Sequence, residues 1–191
     1  MIPAFAGITI RHLTVIGNIL KLIHNNLLLF LIACAIPSDA ADEQIYLAPE
    51  AFLTEALGTP PSPSTLWITA EIQPELERIL GHPPPRLRQR YWKDGAKTAW
   101  ILEEIGKEEF ITAGFVIAND RIELARVLVY RESRGMEVRY PTFLKQFEGT
   151  QLAEKQRLSK RIDGIAGATL SVWAMERMAR AALYFHRHVQ K

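Results

Sequence analysis

Four strand-like runs lie between Arg86 and Tyr130 with only short connections between them, and this constrains the fold more than any other feature of the chain. Arg86–Trp92 is followed by the turn residues Lys93-Asp94-Gly95, then by Thr98–Leu102 and Phe110–Ala118. Asn119-Asp120 form a second tight turn before Ile122–Tyr130. The runs are rich in β-branched and aromatic residues, as strands are. A parallel neighbour needs a crossover of about a dozen residues or more, so strands joined this closely pair antiparallel.

Helices are expected on both sides of this block. Pro49–Leu57 reads as a short helix, and the breaker cluster Gly58-Thr59-Pro60-Pro61-Ser62-Pro63-Ser64 follows it. Thr65–Ala70 reads as one more strand. Gln73–Leu80 is a helix with Pro74 in its first turn, and Gly81-His82-Pro83-Pro84-Pro85 ends it. Tyr140–Phe147 is helical after Pro141, and Leu152–Lys160 is a polar loop. Leu170–His186 contains no Gly or Pro and forms a long helix. The expected fold class is α+β, an antiparallel sheet with packed helices. No internal repeat or low-complexity tract is present. With 191 residues, 48% of them apolar, the chain builds one ordinary core.

The N-terminus has the pattern of an export signal. Residues 27–36 read Leu-Leu-Leu-Phe-Leu-Ile-Ala-Cys-Ala-Ile; Lys21, His24, Asn25 and Asn26 precede them, and Pro37, Ser38, Asp39, Ala40 and Ala41 follow. A positive region, an apolar stretch and a small-residue cleavage site make a secretory leader. The apolar run is shorter than the ~20 residues that span a bilayer. Three outcomes follow from the sequence: cleavage after Ala40, lipidation of Cys34 in the box Leu31-Ile32-Ala33-Cys34, or an uncleaved anchor. The expected organisation is a signal peptide or N-terminal anchor at 1–40, an N-terminal extension at 41–85 and the ligand-binding domain at 86–191. The expected location is periplasmic or otherwise extracytoplasmic, with membrane association possible.

Several function classes are disfavoured. The formal charge is +2, and it falls to +1 once Arg11, Lys21 and Asp39 leave with the leader. A nucleic-acid partner usually demands a clear basic excess, so none is expected. The single cysteine, Cys34, forbids an internal disulfide, a c-type haem or a cysteine zinc site. Of the five histidines, His12 and His24 lie in the leader, His82 lies in a proline loop, and His186 and His188 are two apart and face differently on a helix. No metal site and no catalytic Ser-His-Asp set is expected. Redox chemistry would require an organic cofactor.

One segment carries a chemical signal. In Asp163-Gly164-Ile165-Ala166-Gly167-Ala168-Thr169-Leu170-Ser171, two glycines and two alanines stand directly before the long helix. Small residues let a ligand approach the backbone. The first helical turn offers free N–H groups and the positive end of the dipole, so it receives phosphate well. The residues alone leave two readings open: a phosphate cradle, or a Thr cap after a glycine turn of the kind structural helices often use.

The same run resembles the flavinylation motif of the FMN-binding domain family, D-x-x-S/T-G-A-T. Gly167, Ala168 and Thr169 match by identity, and Asp163 stands at the matching distance. Ala166 replaces the usual Ser or Thr and removes one hydroxyl. In that family, which includes subunits of the sodium-translocating NADH:quinone reductase, a flavin transferase joins FMN phosphate to the last threonine, here Thr169. Upstream, Glu132-Ser133-Arg134-Gly135 resembles a divergent form of the family's E-T-P-G turn beside the flavin. Arg134 stands in the proline's place, and Glu137 stands where a second glycine is common. The resemblance covers roughly residues 90–188. It implies covalent FMN as cofactor, with Asp163, Gly164, Gly167, Ala168, Thr169, Leu170, Ser171, Glu132 and Ser133 around it. It also implies a flavin transferase for maturation and a membrane redox partner. The implied role is an exported electron carrier. The alternatives are an exported phosphate-binding or assembly module without covalent flavin, and an FMN-dependent reductase.

Other residues weigh less. Arg86, Arg88 and Arg90 share one strand face, either as a docking stripe or as a solvated edge. Trp100, Tyr130, Tyr140 and Trp173 are expected in the core, with ring stacking as the alternative. Val172, Met175, Ala179 and Ala182 form the packing stripe of the last helix. Lys155, Arg157, Lys160 and Arg161 read as a solvated loop before the motif, or as a surface that steers the transferase.

Overall fold

The structure, a computed structural model, describes residues 44–190. The leader, Cys34 and the cleavage site lie outside the described residues. Six strands form one antiparallel sheet in the order β1-β6-β5-β4-β3-β2. They are β1 Gln44–Ile45, β2 Ser64–Trp67, β3 Arg88–Asp94, β4 Lys97–Ile105, β5 Phe110–Ala118 and β6 Arg121–Tyr130. Four α-helices accompany them: α1 Pro49–Leu57, α2 Gln73–Leu80, α3 Pro141–Leu144 and α4 Thr169–Val189. The chain is therefore α+β, as the pattern of runs and turns implies. β3 to β6 are consecutive neighbours, so the meander follows from the short connections. Asn119 (φ 51°) and Asp120 (φ 58°) both adopt the left-handed backbone that a two-residue hairpin turn demands.

The sheet is covered on both faces. α2 and α4 lie over one face, where Trp100, Ile111, Ala113, Phe115 and Ile117 meet Leu76, Met175, Met178 and Ala182. α1 covers the other face, where Phe52 and Leu53 meet Ala99, Val116 and Leu128. Strand alternation makes this possible: in β5, Phe115 and Val116 point to opposite faces. Gly114 lies under the Phe52 ring, and a Cβ there would stand 2.5 Å from Phe52 Cζ. Residues 44–85 thus supply two strands and two helices to the same sheet and core as the residues that follow.

A buried polar chain fixes the far end of α4. Trp100 Nε1 donates to Thr98 Oγ1 at 2.8 Å, and Thr98 Oγ1 shares a hydrogen bond with His186 Nδ1 at 2.7 Å, the imidazole tautomer setting which of the two donates. Beyond β6, 3₁₀ turns at Met136–Arg139 and Lys145–Phe147 flank α3 and lead into the 150–168 loop.

Candidate functional site

The two segments singled out in the sequence meet at the start of α4. β6 ends at Tyr130, whose side chain is buried. The Tyr130 hydroxyl donates to the Arg134 carbonyl and accepts from Ser171 Oγ at 3.1 Å. Burial raises the Tyr130 pKa above its ordinary value, with the neighbouring carboxylates Glu132 and Glu137 adding to the shift, so the phenol keeps its proton and remains a donor. Gly135 closes the contact. Its φ is +82°, and a Cβ on it would lie 2.9 Å from the Tyr130 hydroxyl oxygen and 3.0 Å from both Ala168 Cβ and Ser171 Oγ. Only glycine combines that backbone with that space.

Residues 165–168 form the turn that launches the helix. Ala168 N–H donates to the Ile165 carbonyl at 3.0 Å, with Gly167 (φ +82°) at the third position, as a type II turn requires. Val172 N–H then donates to the Ala168 carbonyl at 3.0 Å, the first bond of the helical ladder. Ala168, not Thr169, is the N-cap, and no side chain caps the helix. This answers the reading of Thr169 as an ordinary cap. Thr169 is the first helical residue, and it is exposed. Among the described residues its hydroxyl has no hydrogen-bond partner.

Asp163 is held by its backbone, not by its carboxylate. Its N–H donates to Gln146 Oε1 at 2.7 Å, while the carboxylate is exposed and makes no hydrogen bond among the described residues. It does not cap the glycine turn. A Cβ at Gly164 or Gly167 would meet nothing within 4 Å, so the space over the loop is open. Leu170 is 40% exposed and Trp173 is 51% exposed at the same helix start. The first-turn N–H groups, an unengaged hydroxyl and open glycine positions suit a phosphate, and exposed apolar side chains beside them suit an aromatic ring system. These residues fit FMN.

Glu132 and Ser133 are placed differently. Glu132 Oε1 accepts the backbone N–H groups of Lys107, Glu108 (2.8 Å) and Glu109 (3.1 Å) in the β4–β5 turn. Its carboxylate thus fills a nest of amides and ties the 132–135 loop to that turn. Gly106 borders the same contact, where a Cβ would stand 2.7 Å from Glu132 Oε1. Ser133 is exposed beside it. Ser171 is buried against Tyr130, so its hydroxyl positions the helix start.

Of the aromatic residues, Trp100 and Tyr130 are in the core. Trp100 stacks on Tyr91 with ring centroids 4.9 Å apart. Tyr140, 42% exposed, and Trp173 are at the surface, against the expectation that they are buried. Sequence reasoning missed Gly135 as the contact to α4, and it missed Gln146, whose position at the end of a short helical segment gives no sign of a partner at Asp163. On β3, Arg88 and Arg90 are exposed, while Arg86 pairs with Glu103 at 3.3 Å.

Residues 106–184 match the family model described as FMN-binding domain. The match runs from the β4–β5 turn through most of α4 and contains both the 132–135 loop and the 163–169 motif. It is the family that these motifs resemble, and FMN is the cofactor it supports. No curated protein matches the sequence.

Proposed function

We propose that this chain carries one FMN through a phosphoester to Thr169 Oγ1 and serves as an electron carrier outside the cytoplasmic membrane. The observation that carries this reading is the Thr169 hydroxyl. It is exposed and unengaged at the first position of α4, directly after an open glycine turn. Asp163 stands six residues before it with its carboxylate unengaged, available to orient the turn or to be recognised by a transferase. The first-turn amides and the positive end of α4 favour a phosphate there by about 0.3–1 kcal/mol at an exposed site. Ser171, Tyr130 and Gly135 hold the helix start against the end of β6, which fixes where the hydroxyl projects.

When bound, the isoalloxazine supplies reversible electron transfer, and the protein supplies tether, position and electrostatics. A covalent tether suits an exported protein. Outside the membrane a dissociated FMN is diluted away with no cytosolic pool to replace it. The leader pattern at residues 21–41 supports the same location, and a membrane redox complex is the expected partner.

The test is coexpression of the chain with a flavin transferase, followed by intact-mass and peptide-mass analysis. Wild type gains one FMN, on the peptide containing Thr169. Thr169→Ala gains none, and Thr169→Ser, which keeps the hydroxyl, retains part of the label. A folded Thr169→Ala protein carrying covalent flavin overturns the assignment. Wild type that binds FMN only reversibly points to the phosphate-binding module instead, and turnover of a defined substrate by the labelled protein points to the reductase.

A further inference from the structure

The start of α4 presents an aromatic face beside the phosphate-accepting position. Trp173 lies one helical turn after Thr169, and residues at i and i+4 share a face about 6 Å apart along the axis. Helical side chains generally lean toward the N-terminus and cover the turn before their own Cα, which for Trp173 is the Thr169 turn. Trp173 is 51% exposed, although Val172 and Ala174 beside it are buried. It is therefore off the packing stripe and open to solvent. Leu170, three residues earlier and 40% exposed, extends the apolar surface.

A cation continues the same line. Arg177, one turn beyond Trp173, borders a shallow groove with it, together with Arg78, Leu80 and Gly81. The Arg177 guanidinium is held in place: Nη2 donates to Glu104 Oε1 at 3.2 Å and to the Ile105 carbonyl at 3.0 Å. Its Nε is buried without a hydrogen bond. Thr169, Trp173 and Arg177 thus set a hydroxyl, a flat aromatic face and a guanidinium paired with Glu104 at successive turns of one helix. A phosphate joined to a flat, electron-accepting ring by a short flexible chain presents complementary groups in the same order.

We propose that Trp173 is the stacking residue for the isoalloxazine ring of an FMN tethered to Thr169. This rests on the attachment proposed above. Indole and isoalloxazine stack face to face with an offset, as aromatic rings do. An indole in contact with an excited flavin donates an electron to it and quenches its emission, and the electron returns with no net change.

The experiment compares wild type, Trp173→Ala, Trp173→Phe and Trp67→Ala, each coexpressed with the transferase. Mass analysis reports attachment, circular dichroism reports folding, and the emission yield of the labelled protein reports stacking. Wild type should be labelled and weakly emissive. Trp173→Ala should be labelled and folded, with emission raised several-fold. Trp173→Phe, which keeps a flat ring without the electron-donating indole, should also brighten, while its flavin absorption band should stay closer to wild type than that of Trp173→Ala. Trp67→Ala, which removes an exposed indole from the edge strand β2, outside the site, should leave emission near the wild-type level. Labelled, folded Trp173→Ala with wild-type emission overturns the stacking and leaves the Thr169 attachment standing. Wild type without label on Thr169 overturns the attachment, and this inference with it.

Discussion

Gly135 and Ser171 are so close that a single methyl group on Gly135 would lie 3.0 Å from the Ser171 hydroxyl oxygen. This contact joins the loop after β6 to the first turn of α4. Gly135→Ala meets two penalties at once. Alanine is strained at φ +82°, and its Cβ has no free volume among Tyr130, Ala168 and Ser171. The expected loss is about 2 kcal/mol, which lowers Tm by roughly 4–8 °C in a chain of this size. Thermal unfolding measures it. Because the strain falls on the turn that presents Thr169, labelling by a transferase should also slow. A variant with wild-type Tm and wild-type labelling would show that the contact is dispensable.

Glu132 gives a second test, which separates a positioning role from a ligand role. Its carboxylate accepts three consecutive amides of the β4–β5 turn. In Glu132→Ala those donors lose their partner, at a cost of about 1–3 kcal/mol. Amide hydrogen exchange should speed up at Lys107, Glu108 and Glu109 in protein that has never met flavin. Unchanged exchange at these three amides would contradict a structural role for the carboxylate.

Much of this architecture is legible in the sequence, and the illegible parts share a cause. The meander follows from turn chemistry: Asn119-Asp120 can take left-handed backbone, and the flanking runs then pair in register. The packing stripe Val172, Met175, Ala179 and Ala182 is buried as its helical spacing requires. Trp173 lies outside that stripe. Its expected burial came from residue type, and position overrides type. The Gly135–Ser171 and Glu132–Lys107 contacts join residues 36 and 25 apart in the chain. No local periodicity encodes such pairs. Motif resemblance names the loop and the helix start separately, and only the fold brings them together.

Asp163 should be separable from folding. Its carboxylate is exposed and makes no hydrogen bond among the described residues, and its N–H contact to Gln146 survives any side-chain change. Asp163→Ala is therefore expected to stay within about 0.5 kcal/mol of wild-type stability. Its FMN content after coexpression with a transferase is expected to fall sharply. Circular dichroism and melting check the first statement, and intact mass checks the second. Full labelling of folded Asp163→Ala would remove Asp163 from the attachment step and leave Thr169 untouched.

Glu104 is buried and takes two cationic partners, His82 Nε2 at 3.0 Å and Arg177 Nη2 at 3.2 Å. Glu104→Gln keeps the shape and removes the charge. Removing one partner of a buried pair costs about 3–5 kcal/mol, and because His82 is well exposed the lower end of that range is expected. Urea unfolding should show a lower midpoint with an unchanged slope. A midpoint equal to wild type would mean that Arg177 and His82 are held equally well without the charge.

His186 makes stability depend on pH, and the sign follows from its surroundings. Burial lowers its pKa; nearby Asp120 opposes this, and Lys93 and Arg187 reinforce it. The unfolded chain therefore binds a proton at this site at a higher pH than the folded chain does. Stability is complete above the unfolded value of about 6.5 and declines as pH falls below it. His82 acts in the opposite sense. Burial works against its charge, but the Pro83 carbonyl and Glu104 outweigh this and raise its pKa. Its contribution is fully present below about 6.5 and is lost only as pH rises through the raised value. Of these two histidines, only His186 contributes a slope between pH 6.5 and 5, with His82 constant. His186→Asn keeps a hydrogen-bonding group opposite the Thr98 hydroxyl and removes the titrating ring. This variant should be less stable at pH 7, because the smaller side chain leaves space in the core. Its Tm should nevertheless change less than wild type between pH 6.5 and 5 at fixed ionic strength. Equal slopes in the two proteins would place the pH dependence elsewhere.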